Sequence, residues 1–389
     1  MRARLIITLL LALLLASCGD DDGVFPTGST QGPEETTAIT AGASTSEGPT
    51  TTTASSTITS LAAPAGLSWA RVRDDEAIFG PSAGGAGVSM RSVAAGGPGL
   101  VAVGYEDSGE DWDAAVWTSA DGLTWSRVPH DEAVFGGPDI QDMEGVVAGG
   151  PGLVAVGWDH SGGEADAAVW VSADGFTWTR VSDAALGGPG DQAMRAVAAG
   201  GPGLVAVGDE FGPETPELAA AVWTSPDGLA WTRVPHDEAV FGGPGPQSMT
   251  AVAAWGQGLV AVGYEDQTES DTNAAVWTSP DGVTWARIPH DDAVFGGAGD
   301  QWIGGVAGAG TGVVAVGSVW TDEDGTAVVW WSSDGAIWNR IPDDEAVFGG
   351  AGWAGMVSVA AGGPGLVAVG SGGSEELEHA AVWVSPPTG

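Results

Sequence analysis

The chain has no lysine, and its 11 basic side chains are all arginines, set against 51 aspartates and glutamates. A formal net charge of -40 excludes the basic surface that nucleic acid or anionic lipid requires, so no nucleic-acid partner is expected. There is one cysteine, Cys18, and the folded body therefore has neither a disulfide nor a thiolate metal site. Tyrosine occurs only as Tyr105 and Tyr264. No apolar run reaches the length of a transmembrane helix; the stretch from Leu5 to Ala16 falls short of it. No cofactor and no bound metal are expected, and the chain reads as a monomer.

The first residues, Met1-Arg2-Ala3-Arg4 and then the apolar run, have the layout of a signal peptide. The run ends in Leu15-Ala16-Ser17-Cys18, which resembles a bacterial lipobox. That resemblance implies cleavage after Ser17 and lipid on Cys18, with a membrane as partner on its extracytoplasmic side. The other reading is an ordinary secretory signal with a chance cysteine. Residues 18–65 are rich in Thr, Ser, Gly and Pro, cannot bury a core, and read as a disordered tether. As a coil it would span roughly 40 Å. The division is thus a signal peptide at 1–17, a lipidated tether at 18–65 and a folded body at 66–389.

The body is a repeat. The phrase Gly-Leu-Thr-Trp or a variant places tryptophan at Trp69, Trp125, Trp178, Trp231, Trp285 and Trp338. Ala-Val-Trp or a variant gives Trp117, Trp170, Trp223, Trp277, Trp330 and Trp383. Leu-Val-Ala-Val-Gly or a near variant begins at Leu100, Leu153, Leu204, Leu259, Val313 and Leu366. One unit reads as four strands joined by tight turns: Gly201-Pro202-Gly203 as a type II turn, and Ser225-Pro226-Asp227-Gly228 as a type I turn with a glycine bulge. The first three strands are apolar on both faces, and their hairpins make them antiparallel. Copies of such sheets covering one another describe an all-β, six-bladed β-propeller of four-stranded blades. The chain ends where the last unit lacks its fourth strand and begins its body with one, so residues 67–72 are expected to pair with residues 380–384 and close the last blade.

The turn Ser119-Ala120-Asp121-Gly122-Leu123-Thr124-Trp125 resembles the Asp-box of sialidase-like propellers, although that motif is usually one residue longer. The likeness recurs at Asp174, Asp227, Asp281 and Asp334. It implies a structural turn between third and fourth strands. A sialidase also needs clustered arginines and a tyrosine paired with an acid. Arg71, Arg127, Arg180, Arg233, Arg287 and Arg340 each follow the repeat tryptophan by two residues and read as structural, lying over a tryptophan and pairing with a carboxylate. Only Arg73, Arg91 and Arg195 remain, and the two tyrosines occupy the same repeat position, so the sialidase set is not expected to assemble.

Several positions carry candidate chemistry. His130 and His236 open the phrase His-Asp-Glu-Ala-Val-Phe-Gly-Gly, and His290 a variant; this reads as a packing plug between blades, with a local cation site as the alternative. The tryptophans Trp112, Trp158, Trp302, Trp320 and Trp353 break the repeat and lie in or beside loops rich in acid, which suits sugar stacking or a basic peptide. Trp302 and Trp353 are expected to pair near the channel mouth. After the repeat Met or Ile come Arg91, Glu144, Arg195, Thr250, Gly304 and Val357. Innermost strands are where equivalent residues converge, so Arg91, Glu144 and Arg195 are expected to form a charged cluster, either a ligand site or a salt-bridge network. Gln141, Gln192, Gln247 and Gln301 are expected at the channel mouth. The sequence favours a non-enzymatic, surface-tethered propeller that binds a glycan or a basic protein through its loop face. The alternatives are a sialidase-like glycan-cleaving hydrolase or lyase using Asp107, Asp159 or Glu265, and a purely structural envelope protein.

Overall fold

The computed structural model describes residues 75–385, apart from 82–84, 110, 214, 257, 269–270, 310–311, 322–324, 343, 350–352, 363–364 and 375–376. By its contacts the chain divides into residues 1–65 and residues 66–389, and everything described belongs to the second unit. That unit is a six-bladed β-propeller. Six antiparallel sheets follow one another along the chain; five have four described strands and the last has three. We number the blades I to VI by their innermost strands: Gly87–Gly96, Gln141–Gly149, Asp191–Gly200, Gln247–Trp255, Asp300–Ala309 and Trp353–Gly362. Each blade meanders outward from that strand. Among the described residues, helix is limited to single turns at Glu76–Phe79 and Glu345–Phe348. The signal segment, Cys18, the tether, Arg71, Arg73 and the closing strand at residues 67–72 lie outside the described residues.

Local chemistry sets the turns. The innermost hairpin of blade III turns through Gly201 and Pro202, with Gly201 at φ 56°. A glycine in left-handed φ followed by proline is the II′ arrangement, not the expected type II. The primed turn matches the twist of the flanking strands, which the unprimed one would splay. Between third and fourth strands, Ser172 Oγ accepts the Gly175 N–H and Asp174 Oδ1 accepts the N–H groups of Phe176 and Thr177. Those backbone bonds hold the Asp174 carboxyl below its ordinary value. The same bonding recurs at Asp121, Asp227, Asp281 and Asp334.

Packing runs from blade to blade. Val205 and Val207 of blade III, for instance, share a cluster with Met249, Val252 and Leu259 of blade IV. Side chains grow outward as the gap between diverging blades widens: the third-strand tryptophans Trp117, Trp170, Trp223, Trp277 and Trp330 are fully buried. Each also ties its blade to the preceding connection, as where the Trp170 indole N–H donates to the Val134 carbonyl at 2.7 Å. Phe135, Phe241 and Phe295 are buried as plugs in those connections, as expected. Burial on both faces fails at the ends of the series. Met90 and Val93 of blade I, and Val382 and Val384 of blade VI, are exposed, on the flanks of the first and last blades.

Trp170→Phe keeps most of the apolar filling but leaves the Val134 carbonyl unpaired. It is expected to cost about 2 kcal/mol. Trp331→Phe, at an exposed position, should cost under about 0.5 kcal/mol. Equilibrium denaturation of the two variants is the check.

Candidate functional site

A bulge in every innermost strand builds the site. The register between the two inner strands slips by one residue at Arg91, Glu144, Arg195, Thr250, Gly304 and Val357. The bulged residue is thus the one that follows the repeat Met or Ile. Across from the slip stands the last glycine of the Leu-Val-Ala-Val-Gly phrase: Gly104, Gly157, Gly208, Gly263, Gly317 or Gly370. A Cβ on any of the six would run into the carbonyl oxygen two residues before the bulge. Glycine is therefore a condition of the bulge, and the bulge re-aims one side chain per blade.

On blades I to III those side chains are charged, and they meet. Arg195 Nη1 lies 3.3 Å from Glu144 Oε1, and Arg91 Nε lies 3.8 Å from Glu144 Oε2. Arg91 Nη2 also donates to Asp142 Oδ2 at 3.1 Å. Arg195 forks onto Asp209, through Nε to Oδ2 at 3.0 Å and Nη2 to Oδ1 at 3.3 Å. Ser248 Oγ donates to the same Asp209 at 2.7 Å. Arg91 also lies over the Tyr105 ring, 5.0 Å from its centroid. Exposure separates two layers: Arg91, Glu144 and Arg195 retain 30%, 17% and 25% of their side-chain surface, whereas Asp142 retains none. The cluster expected from the sequence is thus formed, with two acids beneath it that were not expected.

Burial, with Glu144 adding to it, pushes the Asp142 carboxyl up to about 7 against the opposing pull of Arg91. Burial alone would lower the guanidiniums, but Asp209 and Glu144 hold Arg195 above its ordinary value, and Glu144 and Asp142 do the same for Arg91. Burial also raises the Tyr264 phenol, with Asp209 adding to it. Because Asp142 binds its proton more tightly folded than unfolded, the folded state gains from that proton at low pH. Stability should therefore decline as pH rises from about 4, the unfolded value, to about 7, the folded one. Asp142→Asn should flatten that part of the curve, as read by denaturation at several pH values.

Other expected residues fall elsewhere. Gln141, Gln192, Gln247 and Gln301 are buried and do not line a channel mouth. Gln141 donates to Asp159 Oδ1, Gln192 to Gly190 O and Gln301 to Gly299 O, while Gln247 accepts from Arg287. Asp159 and Glu265 are taken up by Arg180 and Arg287 in outer ion pairs, and Arg127 with Glu106 and Arg233 with Glu210 repeat the pattern. Arg127, Arg180 and Arg287 lie over Trp117, Trp170 and Trp277, the structural arrangement expected of the repeated arginines. Asp107 accepts the Gly109 N–H.

The irregular tryptophans are all half-buried. The ring partner of Trp353 is Trp320, at 5.3 Å between centroids, and not Trp302; the end of blade V's second strand approaches the start of blade VI's first. Trp112 stacks on Tyr105 at 4.5 Å with 11° between planes. Trp158 sits on a strand, directly across from Asp142, with its indole N–H buried and unpartnered. At the connection leaving blade I, Asp113, His130 and Glu132 bring ligand-type atoms within 4.8 Å of one another. His236 and His290 instead lie against Glu210 and Glu265.

No family model and no curated protein matches the chain. Solved structures do. A glycoside hydrolase homologue from Parabacteroides distasonis is 14% identical, with 59% of this chain and 82% of that one covered and a TM-score of 0.32. An ulvan lyase of polysaccharide lyase family 25 is 11% identical over 71% and 70%, with a TM-score of 0.43. Sqt1 from Chaetomium thermophilum is 14% identical over 76% and 68%, with a TM-score of 0.40. The likeness is one of fold. Against the expectation of a non-enzymatic binder, glycoside hydrolases and a polysaccharide lyase stand among the similar structures.

Proposed function

We propose that this chain is a glycan-cleaving enzyme whose reaction takes place at Glu144. The observation that carries the reading is Glu144 itself: a partly exposed carboxylate on a bulge, gripped by two guanidiniums from the neighbouring blades. The three charged side chains break the repeat at the one position where blades converge, and their charged heads keep some exposed surface. Glu144 is the group that touches the sugar and moves a proton to or from the glycosidic oxygen. Arg91 and Arg195 fix its carboxylate and bond sugar oxygens. Asp142 and Asp209 lie beneath and position the two guanidiniums. Tyr105 with Trp112, and Trp320 with Trp353, are the aromatic faces on which sugar rings stack, with Trp158 and Trp302 nearby on their strands.

The finer features of the chain fit such an enzyme outside the cytoplasm. The turns at Asp121, Asp174, Asp227, Asp281 and Asp334 are of the Asp-box kind seen in sialidase-like propellers. A lipid on Cys18 holds the propeller to the membrane, and the tether lifts it toward its substrate. Cys18→Ala should release the protein from the membrane fraction and abolish labelling by a fatty-acid probe; unchanged attachment overturns the anchor. Activity is tested by incubating the full chain with a panel of soluble and cell-wall glycans and following chain shortening by chromatography. Retention of glycans without any shortening would overturn the enzyme.

A further inference from the structure

The connections leaving blades I, III and IV each open on a histidine with an acid two residues on, and all three dock alike. The Ala114 N–H donates to the Phe135 carbonyl at 3.0 Å, and Ala220 with Phe241 and Ala274 with Phe295 repeat that bond at 2.9 Å. In each, histidine Nε2 meets the acid: His130 and Glu132 at 3.2 Å, His236 and Glu238 at 3.1 Å, His290 and Asp292 at 2.8 Å. What differs is the third-strand residue just before the docked alanine, which is Asp113, Ala219 or Asn273. Blade I alone of the three adds a carboxylate there. Among the described residues, Asp113, His130 and Glu132 are the one trio of histidine and acid ligand atoms lying within 4.8 Å of one another.

Asp113 brings an oxygen that nothing uses. Its Oδ1 is buried and has no hydrogen-bond partner. The bare Cα of Gly136 leaves room beside it, since a Cβ there would lie 2.5 Å from Glu132 Oε2 and 3.0 Å from Asp113 Oδ1. The surroundings are short of positive charge. Burial raises the Asp113 carboxyl to about 6; His130 opposes this, and Asp111, Glu132 and Glu106 add to it. Arg127 is already bonded to Glu106. A buried carboxylate oxygen without a donor is costly unless a cation or a proton meets it.

We propose that Asp113, His130 and Glu132 bind a divalent transition-metal cation of the zinc class. One imidazole nitrogen with two carboxylate oxygens suits zinc and its neighbours, whereas calcium and magnesium take oxygen ligands. Two ligands of a tetrahedral zinc, each about 2.0–2.2 Å from the ion, stand about 3.3–3.6 Å apart. His130 Nε2 and Glu132 Oε2 are at 3.2 Å already. The outer side is open: the His130 and Glu132 side chains keep 40% and 74% of their surface. The ion therefore enters from solvent, and water completes its coordination. Once bound, it ties the third strand of blade I to the connection leading to blade II. The site shares no residue with the Arg91–Glu144–Arg195 cluster and does not depend on the reading of that cluster as catalytic.

The probe is zinc alone, titrated calorimetrically just above neutral pH into the full, untagged chain after chelator treatment. One tight equivalent is expected, with a rise in melting temperature that chelator reverses. Asp113→Ala introduces the residue that blade III carries at this place, so the fold should hold. It should weaken binding at least about tenfold, since losing even an outer partner of a metal ligand costs about 10–100-fold. His130→Ala should do the same, and its exposed position keeps the test open should Asp113→Ala fail to fold. His236→Ala and His290→Ala should leave the tight equivalent in place, and excess calcium should not displace the zinc. A tight equivalent that survives Asp113→Ala or His130→Ala overturns the proposal, as does one removed by His236→Ala or His290→Ala. Calcium binding as tightly as zinc also overturns it, as does only loose binding of many ions across the acidic surface.

Discussion

Gly157→Ala is expected to destabilise the propeller by about 3 kcal/mol or more, a loss in the range of buried steric conflicts. Gly157 stands across the strands from Met143, where the register slips, and its φ is not in the left-handed region, so backbone freedom is not the reason for glycine there. The reason is space. The bulge at Glu144 turns the Asp142 carbonyl toward Gly157, and a Cβ would collide with that oxygen and the neighbouring Met143 Cα. Both obstacles are backbone atoms, so neither can rotate away. The strands must separate or the bulge must flatten, and flattening would reverse the facing of the residues beyond it. At roughly 2–4 °C per kcal/mol for a domain of this class, the melting temperature should fall by about 6–12 °C. Gly162→Ala, in an open loop where a Cβ meets nothing closer than 3.9 Å, is the control. A Gly157→Ala protein that melts with the parent would show that the bulge is not what demands the glycine.

That glycine also marks how far the sequence could be read. The Leu-Val-Ala-Val-Gly phrase announced a strand, and six copies with two tryptophan series announced six blades, because each repeated element answers a packing need that recurs in every blade. A bulge leaves no such signature. It is a relation between two strands, visible only once the Met and the Gly are known to face each other. The charged cluster was legible at Arg91, Glu144 and Arg195 for the opposite reason: the repeat varied at one position where blades converge. The same test at two other positions would have found its lower layer. The residue before the repeat Met or Ile runs Ser89, Asp142, Ala193, Ser248, Trp302 and Gly355, and the one after the last glycine of the Leu-Val-Ala-Val-Gly phrase runs Tyr105, Trp158, Asp209, Tyr264, Ser318 and Ser371. In each series a single aspartate stands out, and these two are the buried partners of Arg91 and Arg195. The misplaced glutamines show the limit of such reasoning: Gln192 and Gln301 serve backbone carbonyls at the entry to their strands, and Gln141 and Gln247 bond the side chains of Asp159 and Arg287.

Glu144→Gln is expected to lower turnover by about 10²–10⁴-fold, the range for removing a group that transfers a proton in the transition state. The substitution is nearly isosteric. Its amide oxygen can still accept from Arg195 Nη1, 3.3 Å from Oε1 in the parent. Arg91 keeps Asp142 and Arg195 keeps its two bonds to Asp209, so neither guanidinium is left without a carboxylate. The fold and the sugar-stacking faces should therefore be unchanged, and substrate binding should alter far less than kcat. An effect carried by kcat with KM nearly constant is the mark of an interaction made only in the transition state. A merely structural ion pair predicts a different result: a lower melting temperature with turnover kept. Asp209→Asn separates the roles further. It loosens Arg195 without removing the proton-transferring group, so its loss of activity should be smaller and fall partly on KM. Circular dichroism on each variant and turnover of the best-cleaved glycan give the comparison. Glu144→Gln retaining more than about a tenth of parental kcat would place the reaction elsewhere, because loss of an acid–base group costs at least about 10²-fold.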